Sequence, residues 1–208
     1  KQLRYKPAFT DIYLKRLAAI LPFTGYGMRF TGTYPFAFGE GWLDIIKDSP
    51  AEMAMVRSTM AATMIPGSEA PNILPGRAEA VFNLRLNPHD TVEQLKRDVN
   101  NAVSDRIEQQ YLTAHNASPS AGMQSRAYGL ISDCILETFD DVIVAQSAFA
   151  ACTDSRHVAE LADDVYRFIP FMSNYEYKAG MHGTDERIDV DDYIRGISFF
   201  IRLIKKSC

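Results

Sequence analysis

Residues Arg77 to Asn87 alternate without a break, with Ala78, Ala80, Phe82, Leu84 and Leu86 on one side and Arg77, Glu79, Asn83 and Arg85 on the other. Successive strand side chains point to opposite faces, so this period of two predicts a strand with one face buried and one open. Such a strand needs a partner, and the β-friendly run from Met55 to Ile65, closed by Pro66-Gly67, supplies one just upstream. Asp90-Thr91-Val92-Glu93 has the form of a capping box. It opens a helix whose apolar residues Val92, Leu95, Val99 and Val103 recur at helical spacing. A further strand is predicted from about Ile107 to Ala114.

Ahead of these elements a helix is predicted near Asp11 to Leu21. Turns at Pro22, Gly25, Gly27, Gly32, Pro35, Gly39 and Gly41 follow, so most of residues 1–50 is expected to be irregular. The order helix, strand, strand, helix, strand is that of a ferredoxin-like βαββαβ unit without its first strand, an α+β arrangement. His115 to Gly122 then reads as a linker, and the pattern changes after it.

Ser125 to Phe139 is predicted to be an amphipathic helix with Ala127, Leu130, Ile131, Cys134 and Ile135 on one side. Val142 to Ala145 is apolar without alternation, as in a strand covered on both faces of a parallel sheet. A helix near Arg156 to Leu161 and a strand from Val165 to Phe171 come next. The last helix starts at Asp189, which can cap it. It runs through Val190, Ile194, Ile197, Ile201 and Ile204 to the basic Arg202, Lys205 and Lys206, which suit a helix C-terminus. The second half therefore reads as α/β with a mostly parallel sheet, although its strands are too few for a sheet of ordinary size.

Composition narrows the partners. Across 208 residues, 22 basic and 26 acidic side chains give a net charge of -4 with no long block of one sign, which excludes an electrostatic footprint for nucleic acid or an anionic membrane. No apolar stretch approaches the roughly 20 residues that span a bilayer. The start, Lys1-Gln2-Leu3-Arg4-Tyr5, is not a secretory signal. Cys134, Cys152 and Cys208 are odd in number and lack CxxC spacing, so no disulfide framework or cysteine zinc site is indicated. That usage fits a reducing compartment such as the cytoplasm and leaves the compartment otherwise open.

Three places carry candidate chemistry. His182, beside Gly183, Asp185 and Glu186 in the loop before the last helix, has the setting of a zinc ligand oriented by carboxylates. Taken alone it reads more readily as a solvated loop histidine. Thr153-Asp154-Ser155-Arg156 follows an apolar strand, and backbone N–H groups there could hold a carboxylate or an oxyanion, with Arg156 adding a bidentate contact. The same residues also read as an N-cap with an exposed arginine. Asn72 sits in the turn before the alternating strand and Arg85 on its polar face, and each also suits a turn or solvated residue. His89, His115 and His157 are taken as structural or exposed. There is no HExxH, GxSxG or P-loop, and no self-contained set of three zinc ligands.

In order along the chain, several stretches together resemble the M20 family of metallopeptidases, in its branch of carboxypeptidase S-like and N-acyl-amino-acid hydrolases. They are Arg57-Ser58-Thr59 to Thr63, Asn72-Ile73-Leu74-Pro75, Ala80 to Arg85 leading to Thr91-Val92-Glu93, Thr153 to Arg156, Tyr166-Arg167-Phe168-Ile169-Pro170, and His182-Gly183 with Glu186-Arg187-Ile188. The likeness covers nearly the whole chain, loosely over Lys1 to Pro50. It implies that residues 1–114 are a ferredoxin-like lid used for dimerisation, and that 115–208 are the C-terminal part of an α/β catalytic domain holding two zinc ions.

The resemblance makes His182 the last metal ligand. It also makes Asn72 and Arg85 lid residues that reach substrate, Asn72 in the partner's site, and puts Thr153, Asp154 and Arg156 in the substrate pocket. The family's other ligands and its general base are expected ahead of Lys1, so the chain alone is expected to be inactive. Position 152 is cysteine after Ala151, where relatives often have glycine-rich residues, which alters the fine shape of that pocket. The implied reaction is attack of a metal-activated water on the amide carbonyl of a peptide with a free C-terminus or of an N-acyl amino acid. The alternative is a non-catalytic dimerisation module of the same descent.

Overall fold

The structure is a computed structural model that describes residues 5–68, 70–148, 152–171 and 183–208. The chain is mixed α/β and divides into two compact units. The first takes the described residues up to Ser118 and from Ser147 to Cys152; the second takes Pro119 to Gln146 and those from Thr153 on.

In the first unit, helix α1 (Asp11–Ile20) begins where the Thr10 hydroxyl accepts from the Tyr13 N–H, and it buries Tyr13 and Leu17 one turn apart. A short 3-10 turn, Leu21–Phe23, leads into α2 (Tyr26–Thr33), α3 (Gly39–Ile46) and α4 (Pro50–Val56). Residues 26–50, expected to be mostly irregular, are thus largely helical. The glycines misled because one of them serves a close approach. A Cβ on Gly32 would lie 2.6 Å from Leu21 Cδ2 and 3.0 Å from the Trp42 ring. Tyr13, Leu17, Leu21, Trp42, Ile46, Met55 and Val56 form the core around this contact. Trp42 Nε1 donates to the Tyr13 hydroxyl at 2.9 Å, which satisfies a buried indole N–H, and Arg16 grips both Glu52 oxygens at 2.8 and 2.5 Å.

Strands β1 (Thr59–Met64) and β2 (Val81–Arg85) pair antiparallel. The register runs from Thr59 opposite Arg85 to Ala62 opposite Phe82, and a bulge before Met64 then skips Thr63. Both strands are shorter than predicted, since Met55 and Val56 finish α4. The predicted one-sided burial is also not realised. Val81 and Leu84 are half-buried but Phe82 is 48% exposed, because this is a two-stranded ribbon without a third strand among the described residues.

What pins the ribbon is a buried polar knot. Asn87 N donates to Ser58 Oγ (2.8 Å) and Asn87 Nδ2 to Met55 O (2.8 Å), while Ser58 Oγ donates to Asp90 and His89 N to Asn87 Oδ1 (3.1 Å). Helix α5 (Val92–Ala102) follows, capped by Thr91, whose hydroxyl accepts from Gln94 N. Asp90, predicted to open that helix, is instead engaged with Ser58. Asn116, from the predicted linker, accepts from Val92 N at 2.8 Å, so this segment docks on the helix start. Residues 107–114 are not a strand, since no ladder partner reaches them among the described residues.

The second unit holds α6 (Arg126–Leu136), capped by Ser125, a short α7 (Ser155–Val158) and α8 (Val190–Ser207). The Asp189 carboxylate accepts from Asp191 N and Asp192 N, as the sequence predicted. Cys134, Phe139 and Phe199 form the core, with Val142 and Leu203 against it, and Arg202 and Lys206 tie α8 to Thr138 and Glu137. The α8 backbone comes close at Gly196, where a Cβ would meet the Phe171 ring at 2.5 Å. No strand occurs among the described residues of this unit, so the predicted parallel sheet is not formed here. Its candidate segments are held by side chains instead: Val142 by the core, and 164–167 by polar contacts. The apolar stripe named for α8 also faces outward, with Ile194, Ile197, Ile201 and Ile204 exposed, while Phe199 is buried on the opposite face.

Replacing Asn87 by Ala removes one buried and one part-buried hydrogen bond, to Met55 O and from His89 N, a loss of about 1–3 kcal/mol in chemical denaturation. Burial, above all, pushes the Tyr13 hydroxyl from 10.0 up to about 12. The neutral form is the one the fold prefers, so this contribution is complete below pH 10.0 and is lost as pH rises toward about 12. Alkaline unfolding followed by circular dichroism should steepen over that window in the natural chain, and the part due to this residue should vanish in Tyr13→Phe.

Candidate functional site

Thr153, Asp154 and Arg156 lie together in one turn that leads into α7. Arg156 N donates to Thr153 O at 3.2 Å and His157 N to Asp154 O at 2.9 Å. These two backbone N–H groups are therefore committed within the turn and are not offered to an anion. Asp154 occupies the N-cap with helical backbone angles and no capping side-chain bond. The turn also carries side-chain donors. Thr153 Oγ1 and Ser155 Oγ are 2.5 Å apart, and Arg156 Nε donates to His157 Nε2 at 3.1 Å. Thr153, Asp154 and Arg156 are exposed and Ser155 is half-buried.

The turn is tied to the segment around Arg167, whose Nε donates to Ser155 Oγ at 2.6 Å. That segment is fixed in turn. Asp164 accepts from Gly122 N at 2.7 Å, and the Tyr166 hydroxyl bonds both the Ser125 hydroxyl, at 2.7 Å, and the Gly122 carbonyl. Tyr166 also packs against the Tyr128 ring. Arg167 is the residue the site reading missed. The signal available was its place in the stretch Tyr166-Arg167-Phe168-Ile169-Pro170, but nothing in spacing tells which loop such an arginine will hold.

Asn72 and Arg85 belong to the first unit. Asn72 is exposed in a turn at residues 71–72, and Arg85 is exposed at the end of β2, opposite Thr59. An open cleft of about 670 Å³ in the same unit is lined by Tyr5, Lys6, His89, Asp90, Gln94 and Asp98, among others. The Tyr5 hydroxyl is buried there with no hydrogen-bond partner among the described residues, and burial followed by the nearby Asp98 and Asp90 pushes its pKa up. Both carboxylates already accept a bond, from Ser58 and from Gln94, so the cleft walls are structural in part.

His182 lies outside the described residues. Among the described ones no group of three or more His, Cys, Asp or Glu side chains converges to hold a metal ion, so they do not by themselves fit a zinc centre. No described helix is long and apolar enough to cross a membrane.

Comparison with known proteins gives a consistent set. The family described as Peptidase dimerisation domain matches residues 40–110. The chain is 28% identical to a probable carboxypeptidase S-like 2 of Dictyostelium discoideum over 90% of its own length and 38% of the relative's. It is 32% identical to a probable carboxypeptidase S-like 1 of the same organism, over 77% of this chain and 34% of that one. An N-fatty-acyl-amino acid synthase/hydrolase of Mus musculus is 31% identical over 78% of this chain and 33% of its own. The chain thus spans just over a third of the length of the curated relatives it matches. No solved structure matches it.

The exposure of Asn72 separates a ligand-facing role from a structural one. Asn72→Ala should leave the denaturation midpoint of the chain unchanged to within about 0.5 kcal/mol, and a larger loss would mark it as a turn-forming residue.

Proposed function

The chain belongs to the M20 family of peptidases, and on that premise we propose that it is the lid and C-terminal part of a two-zinc hydrolase cleaving an amide bond next to a free carboxylate. The substrates are peptides with a free C-terminus or N-acyl amino acids, the chemistry that the relatives' names share. Residues 1–114 act as a ferredoxin-like lid that pairs two copies of the protein, and 115–208 return to the α/β catalytic domain. The chain alone is inactive.

The observation that carries this reading is the turn Thr153 to Arg156, where Thr153 and Arg156 are both exposed while Arg167 bonds Ser155 between them. A carboxylate accepts from both kinds of donor, and bidentate geometry favours arginine over lysine for that task. Arg156 and Thr153 bind the substrate carboxylate and Asp154 orients the amide end, while Arg85 is a lid residue that reaches substrate and Asn72 serves the partner's site. His182 is one zinc ligand, and its co-ligands come from outside this chain.

The exposed apolar side chains Met60, Met64 and Phe82 on the β1–β2 ribbon support pairing with a second copy, because an uncovered two-stranded ribbon is marginal in water.

The test is a protein that joins this chain to the segment bearing the other ligands, assayed for zinc content and for hydrolysis of N-acyl amino acids and C-terminally free dipeptides. Zinc binding with turnover is expected. His182→Ala should lower the zinc content, and Arg85→Ala should reduce kcat/KM by about 10- to 100-fold, as for loss of one charge-assisted hydrogen bond. No zinc and no cleavage in the joined protein would sink the reading and leave a dimerisation module.

A further inference from the structure

Arg167, a charged side chain outside the Thr153–Arg156 turn, reaches into it with a short contact: Nε donates to Ser155 Oγ at 2.6 Å. A guanidinium is a donor only, so the Ser155 oxygen must accept in this bond. Ser155 Oγ also sits 2.5 Å from Thr153 Oγ1, where either oxygen could donate. Donation from a cation makes the Ser155 hydroxyl the stronger donor, which favours the order Arg167 to Ser155 to Thr153. In that order the Thr153 hydroxyl hydrogen has no acceptor within the relay. Thr153 is exposed, whereas Ser155 between the two is half-buried.

The support behind Arg167 is independent of the turn. Its neighbour Tyr166 bonds Ser125 and Gly122 O at the start of α6, and Asp164 accepts from Gly122 N. The guanidinium is thereby carried by a backbone segment anchored to a different element from the one it orders, which is how a positioning group differs from a surface ion pair.

We propose that Arg167 is a positioning residue for substrate recognition: through Ser155 it orders the Thr153–Arg156 turn and polarises the Thr153 hydroxyl as a donor to an anionic substrate carboxylate. This rests on the functional reading above for the identity of the ligand, but the contact itself does not. Arg167 acts through Ser155 and does not touch the substrate.

Two measurements separate these layers. In the chain as it stands, Arg167→Ala and, independently, Ser155→Ala should speed amide exchange of Arg156 and His157, whose N–H groups close the turn, by about tenfold or more, while Arg167→Lys restores part of the protection. Ser155→Ala breaks the same link if Arg167→Ala fails to fold. In the joined, active protein, Arg167→Ala should raise KM for an N-acyl amino acid about tenfold with kcat little changed, and the Arg167→Ala/Ser155→Ala pair should be no worse than either alone. Unchanged exchange in both single variants overturns the proposal whatever the activity. Faster exchange with unchanged KM in an active enzyme overturns it too, by making the contact merely structural. An inactive joined protein would overturn the functional reading, and the exchange result alone would then decide whether Arg167 orders the turn.

Discussion

The first unit depends on the pair Ser58 and Asn87, which are both buried and both polar. Three elements meet there. Asn87 holds the Met55 carbonyl at the end of α4, Ser58 takes the Asn87 N–H just beyond β2, and Asp90 accepts from Ser58 just before α5. A ribbon of two strands of five or six residues is marginal on its own. Its register is held because slipping by one residue would leave buried donors and acceptors unmet, at a cost several times that of an ordinary surface contact. The neighbouring apolar core around Trp42 supplies bulk stabilisation, but apolar contacts are not directional and would tolerate such a slip more readily.

Both units also contain one place where backbone replaces side chain. Gly32 lets α2 approach Leu21 and Trp42, and Gly196 lets α8 approach Phe171. In a sequence these glycines look like breaks in a pattern, and Gly32 was read that way. The packing shows the opposite. An absent Cβ permits a helix to lie against an aromatic ring, and the consequence is visible at α2, whose large side chains Tyr26, Met28 and Phe30 then project into solvent.

The features legible in the sequence were those decided locally. The start of α1 near Asp11, the Asp189 cap of α8 and the helix after Thr91 all rest on a side chain and an N–H within three residues, so a short window contains the whole cause. What misled were features whose cause is distant. Val142 to Ala145 and Val165 to Phe171 have strand-like composition, but a strand exists only with a ladder partner, and composition does not supply one. The stripe Ile194, Ile197, Ile201 and Ile204 is a correct helical period that faces outward, because periodicity shows that a stripe exists and not which neighbour meets it. Asn116 was read as linker for the same reason: its role as a cap for Val92 spans 24 residues.

The site repeats this division at smaller scale. Thr153, Asp154 and Arg156 were recognisable as one turn because they are adjacent, yet the expected donors, the backbone N–H groups of Arg156 and His157, are spent in closing it. The turn's hydroxyl and guanidinium groups remain, and their direction depends on what lies behind them. Arg167 lies 12 residues from Ser155, and it meets that hydroxyl only because Asp164 and Tyr166 fasten the intervening chain to the start of α6. A hydroxyl can donate or accept and so has no fixed polarity of its own, whereas a guanidinium can only donate. Ser155 is therefore the acceptor in its bond with Arg167, and that contact is a tertiary property that the turn's four residues alone do not determine.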